Sequence, residues 1–182
     1  MLEDWSRAFP GCEPVAHRLR TALPSRWVRF HGLPESKRYP DAEDELQIIM
    51  GRWNRVLGEL AGSDPRVVLL TTEHSASADV VFDRKAGPWR VVAMHDLEEE
   101  FHAPTYWRVF ASEWEWRSGV FDPTLRLVAT GRSANVMISP PGCRWLFAPY
   151  DGGADVILES PAARDRLKAA FAGWLSPWPS GL

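Results

Sequence analysis

Three short apolar segments near the end of the chain constrain the fold more than any other feature. They read ANVMIS (134–139), RWLFAPY (144–150) and ADVILES (154–160), and only a few residues separate each from the next. Parallel strands need a crossover of a dozen or more residues, whereas antiparallel strands can be joined by a tight turn. The spacing therefore predicts an antiparallel meander.

Helical patterns surround this meander and the strand-like segments that precede it between residues 26 and 116. They cover residues 2–9, 14–23, 41–61, 121–131 and 161–174. Runs of strands separated by helices favour an α+β fold. We expect a single domain over residues 1–182, with a mostly antiparallel sheet of about six strands and helices packed on it. Residues 1–24 form an N-terminal helical segment in this prediction, and residues 176–182 form a tail.

Cap residues define the predicted helix ends. Asp41, Asp122 and Ser160 stand where an N-cap belongs, and their side chains can accept hydrogen bonds from free backbone amides. Gly62 and Gly131 stand where helices end, because glycine adopts the left-handed conformation of a C-terminal cap.

The charge and the cysteine content exclude several functional classes. The net charge is −3, which disfavours general nucleic-acid binding, since that requires a basic surface. No window reaches the ~18 apolar residues of a membrane helix, and the first residues lack a signal-peptide layout. Cys12 and Cys143 are too few for a disulfide framework or a zinc site. We expect a cytoplasmic protein without a cofactor, and the arginine-rich, lysine-poor composition suggests a GC-rich bacterial source.

The stretch RWLFAPYDGGADVIL (144–158) invites two interpretations, which concern Tyr150, Asp151, Gly152, Gly153 and Asp155. The favoured one is a hairpin turn, because glycine tolerates the positive φ of tight turns. The alternative is a loop that binds a metal or a phosphate. Asp155 precedes a buried-type strand, and a buried carboxylate needs a cation. We expect Arg144 or Arg164 to supply it.

An acidic segment between residues 96 and 116 is the predicted partner-binding surface. Its members are Asp96, Glu98, Glu99, Glu100, Glu113, Trp114, Glu115 and Trp116. A dense acidic face can dock on a basic cleft of another protein, and aromatic residues are enriched in interface cores. The favoured interpretation of residues 113–116 is that strand alternation places both tryptophans in the core and the glutamates in water. His95 and His102 flank the first acids, but a solvated connection is favoured there over a metal site.

Residues 29–40, RFHGLPESKRYP, form the one locally basic stretch. Arg29, His31, Lys37 and Arg38 could hold an anion, although Glu35 lies among them. A solvated loop is the favoured interpretation. The chain has no GxSxG, GxGxxG or GK[ST] motif, and Cys143 is best interpreted as a buried structural thiol, so we assign no catalytic residue.

The segments WVRFHGLPESKRYPDAEDE, FDPTLRLVATGRSANVMISP and CRWLFAPYDGGADVI together resemble an uncharacterised bacterial family. This domain-of-unknown-function family has a C-terminal RWLYxPYDGGxDV-type signature, and the resemblance covers most of residues 26–175. Some members are similar to small proteins encoded near secreted or polymorphic toxins. The resemblance therefore implies an immunity-type role by association and carries no activity.

Three functions follow as expectations. The first is a non-enzymatic cytoplasmic protein that binds another protein, as an immunity or antitoxin-type factor with a toxin as its partner, and that binds neither nucleic acid nor a membrane. The second is a metal-dependent enzyme or metal-binding protein that uses Asp151 and Asp155, with His95 or His102 as a further ligand. The third is a structural or oligomerisation domain.

Overall fold

One antiparallel sheet organises the chain. In the computed structural model, which describes residues 2–78 and 90–177, seven strands follow one another across the sheet in the order β1-β7-β6-β5-β2-β4-β3. They are β1 (Trp27–His31), β2 (Arg66–Ser75), β3 (Arg90–Asp96), β4 (Tyr106–Glu115), β5 (Met137–Ser139), β6 (Trp145–Tyr150) and β7 (Gly153–Leu158). The α+β class and the antiparallel sheet are confirmed, and the described sheet has one strand more than the predicted six.

The helices connect and cover these strands. They are α1 (Leu2–Ala8), α2 (Ala16–Ala22), α3 (Glu43–Ala61), α4 (Glu98–Phe101), α5 (Asp122–Ala129) and α6 (Pro161–Ala170). The four-residue α4 was predicted as a turn, since one helical turn leaves no periodic pattern to detect. After α6 the predicted helix continues only as the 3₁₀ turn Ala172–Trp174. None of the described helices combines the length and the apolar character that crossing a membrane requires.

The meander predicted from residues 134–160 is confirmed. β5 pairs with β6 and β6 pairs with β7, both antiparallel, and Trp145 lies opposite Leu158. The outer neighbour of β7 is β1, so the first strand of the chain joins the sheet beside the last one. The predicted tail lies mostly outside the described residues, which end at 177.

The two faces of the sheet carry different layers. Alternation along β1 sends Val28 and Phe30 into a core cluster with the apolar stripe of α3 and with residues of α5 and α6. On the opposite face a second cluster contains residues of α1 and α2. Arg29 and His31, which alternate with Val28 and Phe30 along β1, belong to this second face. Polar side chains of β1 therefore point toward a partly covered layer of the protein.

One of the three predicted N-caps is confirmed. The hydroxyl of Ser160 accepts a hydrogen bond from the backbone N–H of Ala163 at the start of α6. The prediction for Asp41 is wrong, because Ala42 is the N-cap and the carboxylate of Asp41 accepts a hydrogen bond from Lys37 instead. The prediction for Asp122 is also wrong: Phe121 is the N-cap, and Asp122 accepts a hydrogen bond from Asn54 of α3. In both cases the carboxylate that was expected to cap the helix accepts a hydrogen bond from a side chain outside that helix instead.

Both predicted helix ends have the expected backbone. Gly62 follows α3 with φ 55°, and Gly131 follows α5 with φ 69°. These left-handed conformations are cheap for glycine alone, so the two residues end their helices as predicted.

Candidate functional site

A cleft of about 500 Å³ opens on the second face of the sheet, beside the turn between β6 and β7. We call it the arginine cleft. Its walls come from α2, from β1 and the loop after it, and from β6, β7 and their turn. The side chains that give it its chemistry are Arg20, Arg29, His31, Arg38, Tyr150 and Asp155.

The floor of the arginine cleft is a buried ion pair between neighbouring strands. Arg29 of β1 lies opposite Asp155 of β7 in the antiparallel register. Arg29 Nε donates to Asp155 Oδ1 at 2.7 Å and Nη2 donates to Oδ2 at 3.0 Å, and each side chain is only 10% exposed. The prediction that Asp155 needs a cation is confirmed, but the predicted donors Arg144 and Arg164 are wrong. The strand register delivers a residue 126 positions away.

The Arg29 guanidinium keeps its charge despite its burial. Burial opposes the charge of Arg29, yet the hydrogen bonds and the charge of Asp155 outweigh it and raise the pKa of the guanidinium. The same guanidinium lies 4.7 Å from the ring centre of Tyr150 and 5.4 Å from that of Trp27, which adds cation–π attraction. Arg29 is thus held in one orientation by bonds and by aromatic contacts.

Tyr150 remains a neutral donor in this environment. Burial raises the pKa of its phenol to about 12 and outweighs the opposing charge of Arg29. A phenol with this pKa keeps its proton throughout the physiological range, so it can donate a hydrogen bond to an anion.

The turn at Asp151 and Gly152 is a two-residue hairpin connection, as predicted. The predicted reason for its glycines is wrong, because neither Gly152 nor Gly153 has a positive φ. Space is the reason instead. A Cβ on Gly153 would lie 2.2 Å from the backbone oxygen of Phe30, so only glycine lets β1 approach β7 here. A Cβ on Gly152 would lie 2.9 Å from the ring of Tyr150.

The rim of the arginine cleft carries two more guanidinium groups. Arg38 Nε donates to Asp151 Oδ1 at 3.0 Å, and its side chain is largely exposed. Arg20 of α2 is half-buried and has no carboxylate partner among the described residues. Three guanidinium groups therefore face two carboxylates, and the cleft has an excess of positive charge and of hydrogen-bond donors.

His31 adds an unpaired nitrogen to the lining. Its Nε2 is buried and has no hydrogen-bond partner within the described part of the chain. Burial lowers the pKa of His31, and the charges of Arg29 and Arg52 lower it further. The imidazole is therefore neutral near pH 7, and a buried polar atom without a partner is a place where a ligand atom gains a hydrogen bond.

The loop after β1 has a strained backbone where it lines the arginine cleft. Glu35 has φ 55° and Ser36 has φ 59°, so two successive residues other than glycine adopt the left-handed conformation. Such conformations cost roughly 1–3 kcal/mol each and persist only where surrounding contacts enforce them. The next residue, Lys37, connects this loop to its surroundings, because its ammonium group binds Glu45 at 2.6 Å and Asp41 at 2.7 Å.

The predicted partner-binding residues divide between the two ends of β4. Asp96 and Glu99 are exposed near the beginning of β4, whereas Glu113 and Glu115 are exposed at its end. Ten strand residues extend ~30 Å, so the two acidic groups do not share one small patch. Glu98 and Glu100 belong to α4 and thus to the first group. Glu113 is also partly neutralised by Arg90, whose Nη2 lies 2.8 Å from Oε1.

The two tryptophans of this segment differ in burial. Trp114 is 38% exposed and meets Phe121 edge to face, with ring centres 5.7 Å apart. Trp116 is half-buried and stacks on the same phenylalanine. They flank Phe121 together, so they are neither both in the core nor both free for a partner.

The metal-site alternative finds no ligand cluster. Within residues 2–78 and 90–177, no three histidine, cysteine or acidic side chains converge on one point. Asp151 and Asp155 are each paired with an arginine, and His95 Nδ1 lies 3.0 Å from Glu13. His102 is exposed on the connection after α4. A cleft whose carboxylates are already occupied by arginines suits an anion better than a cation.

The sequence prediction named part of the lining of the arginine cleft and missed the rest. It favoured a solvated loop for residues 29–40, which is wrong for Arg29 and His31, because both lie on strand β1 and the Arg29 side chain is only 10% exposed. The basic stretch 29–40 supplies Arg29, His31 and Arg38, and the DGG turn supplies the opposite wall. Arg20 was missed because nothing local distinguishes it on α2. A sequence signal for Arg29 is its position on β1 between Val28 and Phe30, which both point into the core.

Comparison with known proteins gives one match. A family model described as a domain of unknown function, DUF3885, matches residues 15–179. No curated protein matches the chain. No solved structure matches it either.

Proposed function

The chain belongs to the DUF3885 family, whose description names no activity, and we propose from the arginine cleft that it binds a small anionic ligand. One observation carries this proposal. Guanidinium groups outnumber carboxylates in a cleft of about 500 Å³, and a buried arginine with a fixed orientation lies at its floor. Charge-assisted hydrogen bonds from arginine to carboxylate or phosphate are stronger than neutral ones and are often bidentate.

The three arginines have different parts in this binding. Arg29 is preorganised by Asp155 and Tyr150, and its Nη1 makes no hydrogen bond to a described residue, so it can bind an anion without losing side-chain entropy. Arg20 contributes the uncompensated charge. Arg38 is exposed at the rim, where it attracts anions from solution.

Isothermal titration with inorganic phosphate, pyrophosphate and citrate tests the proposal. Arg20→Gln removes the uncompensated charge, and we expect it to weaken binding of the best anion about tenfold, the effect of one charge-assisted hydrogen bond. Arg18→Gln is the matched control, because Arg18 lies on the same helix but pairs with Glu13 outside the cleft. Equal affinities of the two variants, or no binding of any anion at millimolar concentration, contradict the proposal.

Docking of a basic protein is the second candidate function. Met94 and Phe101 are large apolar residues, 50% and 46% exposed, and they lie beside the exposed acids Asp96 and Glu99. Exposed apolar side chains next to a charged rim are typical of interaction sites. An immunity-type role with a toxin as the partner is the specific form of this candidate. We place the protein in the cytoplasm in this proposal, since both cysteines are free.

Charge reversal at the two ends of β4 tests the second candidate. If a captured partner docks beside α4, Glu99→Lys slows its association and lowers the salt dependence of the rate. Glu115→Lys, at the far end, is the control and leaves the rate unchanged. Identical association rates for the wild type and Glu99→Lys contradict docking at this end.

A further inference from the structure

A second cavity adjoins the arginine cleft. This cavity has a volume of about 430 Å³ and includes Thr72, His74, Arg132 and Ser133 in its lining. The two cavities share Trp107, Ala134 and Asn135. Trp107 and the arginines line the same cleft of about 500 Å³, which is more space than a simple inorganic anion occupies.

Trp107 is the aromatic residue common to both cavities, and it is held in place. Its ring stacks with that of Phe101, with centres 6.0 Å apart, and meets the ring of His17 edge to face. The side chain is half-buried, so part of its indole remains accessible. A fixed and accessible indole is a surface on which a planar ring can stack.

Asn135 makes the rest of the shared wall rigid. Its Oδ1 accepts a hydrogen bond from the Ala16 N–H at 2.8 Å, and its Nδ2 donates to Thr72 Oγ1 at 2.5 Å. The amide is thus used to tie α2 to β2 and is not free for a ligand. Recognition of a ligand at this wall must therefore come from stacking on Trp107.

We infer that the ligand is a nucleoside monophosphate or a similar phosphate joined to a planar ring, with its phosphate in the arginine cleft and its ring against Trp107. This inference rests on the proposed anion-binding function and adds the class of ligand. Stacking on an aromatic side chain does not depend on which base is present, so both purine and pyrimidine nucleotides bind.

Titrations with inorganic phosphate, ribose 5-phosphate, AMP and CMP separate the contributions. We expect the two nucleotides to bind about tenfold more tightly than ribose 5-phosphate, because stacking of one base has an effect of this size. Trp107→Leu should remove this advantage and leave phosphate affinity unchanged, whereas Trp107→Phe should keep most of it. Trp114→Leu, which alters an exposed tryptophan outside both cavities, is the matched control.

The outcomes distinguish the two proposals. If phosphate binds but the nucleotides bind no more tightly than ribose 5-phosphate, the nucleotide inference is wrong and anion binding stands. An equal loss of phosphate and nucleotide affinity in Trp107→Leu also overturns the inference. If none of the four ligands binds the wild-type protein, both proposals fail. The wild-type comparison requires no variant to fold, so the test does not depend on the stability of Trp107→Leu.

Discussion

Replacing Asp155 by asparagine tests the physical account of the arginine cleft most directly. The substitution keeps the size of the side chain and removes its charge, so Arg29 stays charged in a site where both partners are 10% exposed. Breaking a buried ion pair by removing one partner costs about 3–5 kcal/mol, since the remaining charge is left without compensation. The asparagine oxygen can still accept one bond from Arg29, so we expect a loss near 3 kcal/mol.

Urea and thermal denaturation measure this loss. For a chain of this length, 1 kcal/mol corresponds to about 2–4 °C in Tm, so 3 kcal/mol lowers the Tm by roughly 6–12 °C. Asp151→Asn is the matched control on the same hairpin. Its partner Arg38 is 62% exposed, so the loss should stay below about 1 kcal/mol.

Added phosphate connects this stability effect to the cleft. In Asp155→Asn, an anion bound beside Arg29 replaces the missing negative charge, so phosphate should raise the Tm of this variant more than that of the wild type. A loss below about 1 kcal/mol refutes the description of Arg29 and Asp155 as a buried, coupled pair. An equal Tm increase in both proteins refutes the placement of the anion beside Arg29.

Two further predictions follow from single residues. The pKa of His31 is lowered in the folded protein, so just below the ordinary histidine value of 6.5 the unfolded chain binds more protons than the folded one. The unfolding free energy should therefore fall as the pH decreases through this window. Urea denaturation at pH 7.5 and 5.5 measures the fall, and an undiminished fall in His31→Gln contradicts the assignment to His31. Gly153→Ala should destabilise the protein by about 1–3 kcal/mol, because the new Cβ would lie 2.2 Å from the backbone oxygen of Phe30. Gly51→Ala within α3 should instead stabilise the protein by about 0.5–1 kcal/mol, because open space surrounds this position. Chemical denaturation of both variants checks the contrast, and a neutral Gly153→Ala contradicts the close approach of β1.

Local chemistry made part of the fold predictable from the sequence. The meander follows from alternation and short turns, and Ser160 caps α6 because its hydroxyl needs only the N–H of Ala163, three residues away. Asp41 looked equivalent to Ser160 in the sequence but binds Lys37, a residue outside the helix. Local rules therefore predict the positions of helices and strands better than they predict which side chains cap them.

The site depended on distances that the sequence does not contain. Asp155 has arginines nearer in sequence than Arg29, yet the pairing of β1 with β7 decides its partner. The acidic segment shows the reverse effect, since residues close in sequence are carried to opposite ends of β4. Glu99 and Glu113 are separated by a strand that keeps them far apart. The strand register and the strand length therefore decide which side chains lie close together in the folded protein.

The position of β1 in the sheet has a consequence for synthesis of the chain. β1 is near the N-terminus, but its strand neighbour is β7, which the ribosome completes more than a hundred residues later. Until then Arg29 has no carboxylate from β7, and the arginine cleft lacks the wall that β7 and its turn supply. Contacts so distant in sequence form late, because the intervening chain must be ordered first. A ligand of this cleft can therefore recognise only chains whose sheet is complete, and its binding would report on folding as well as on function.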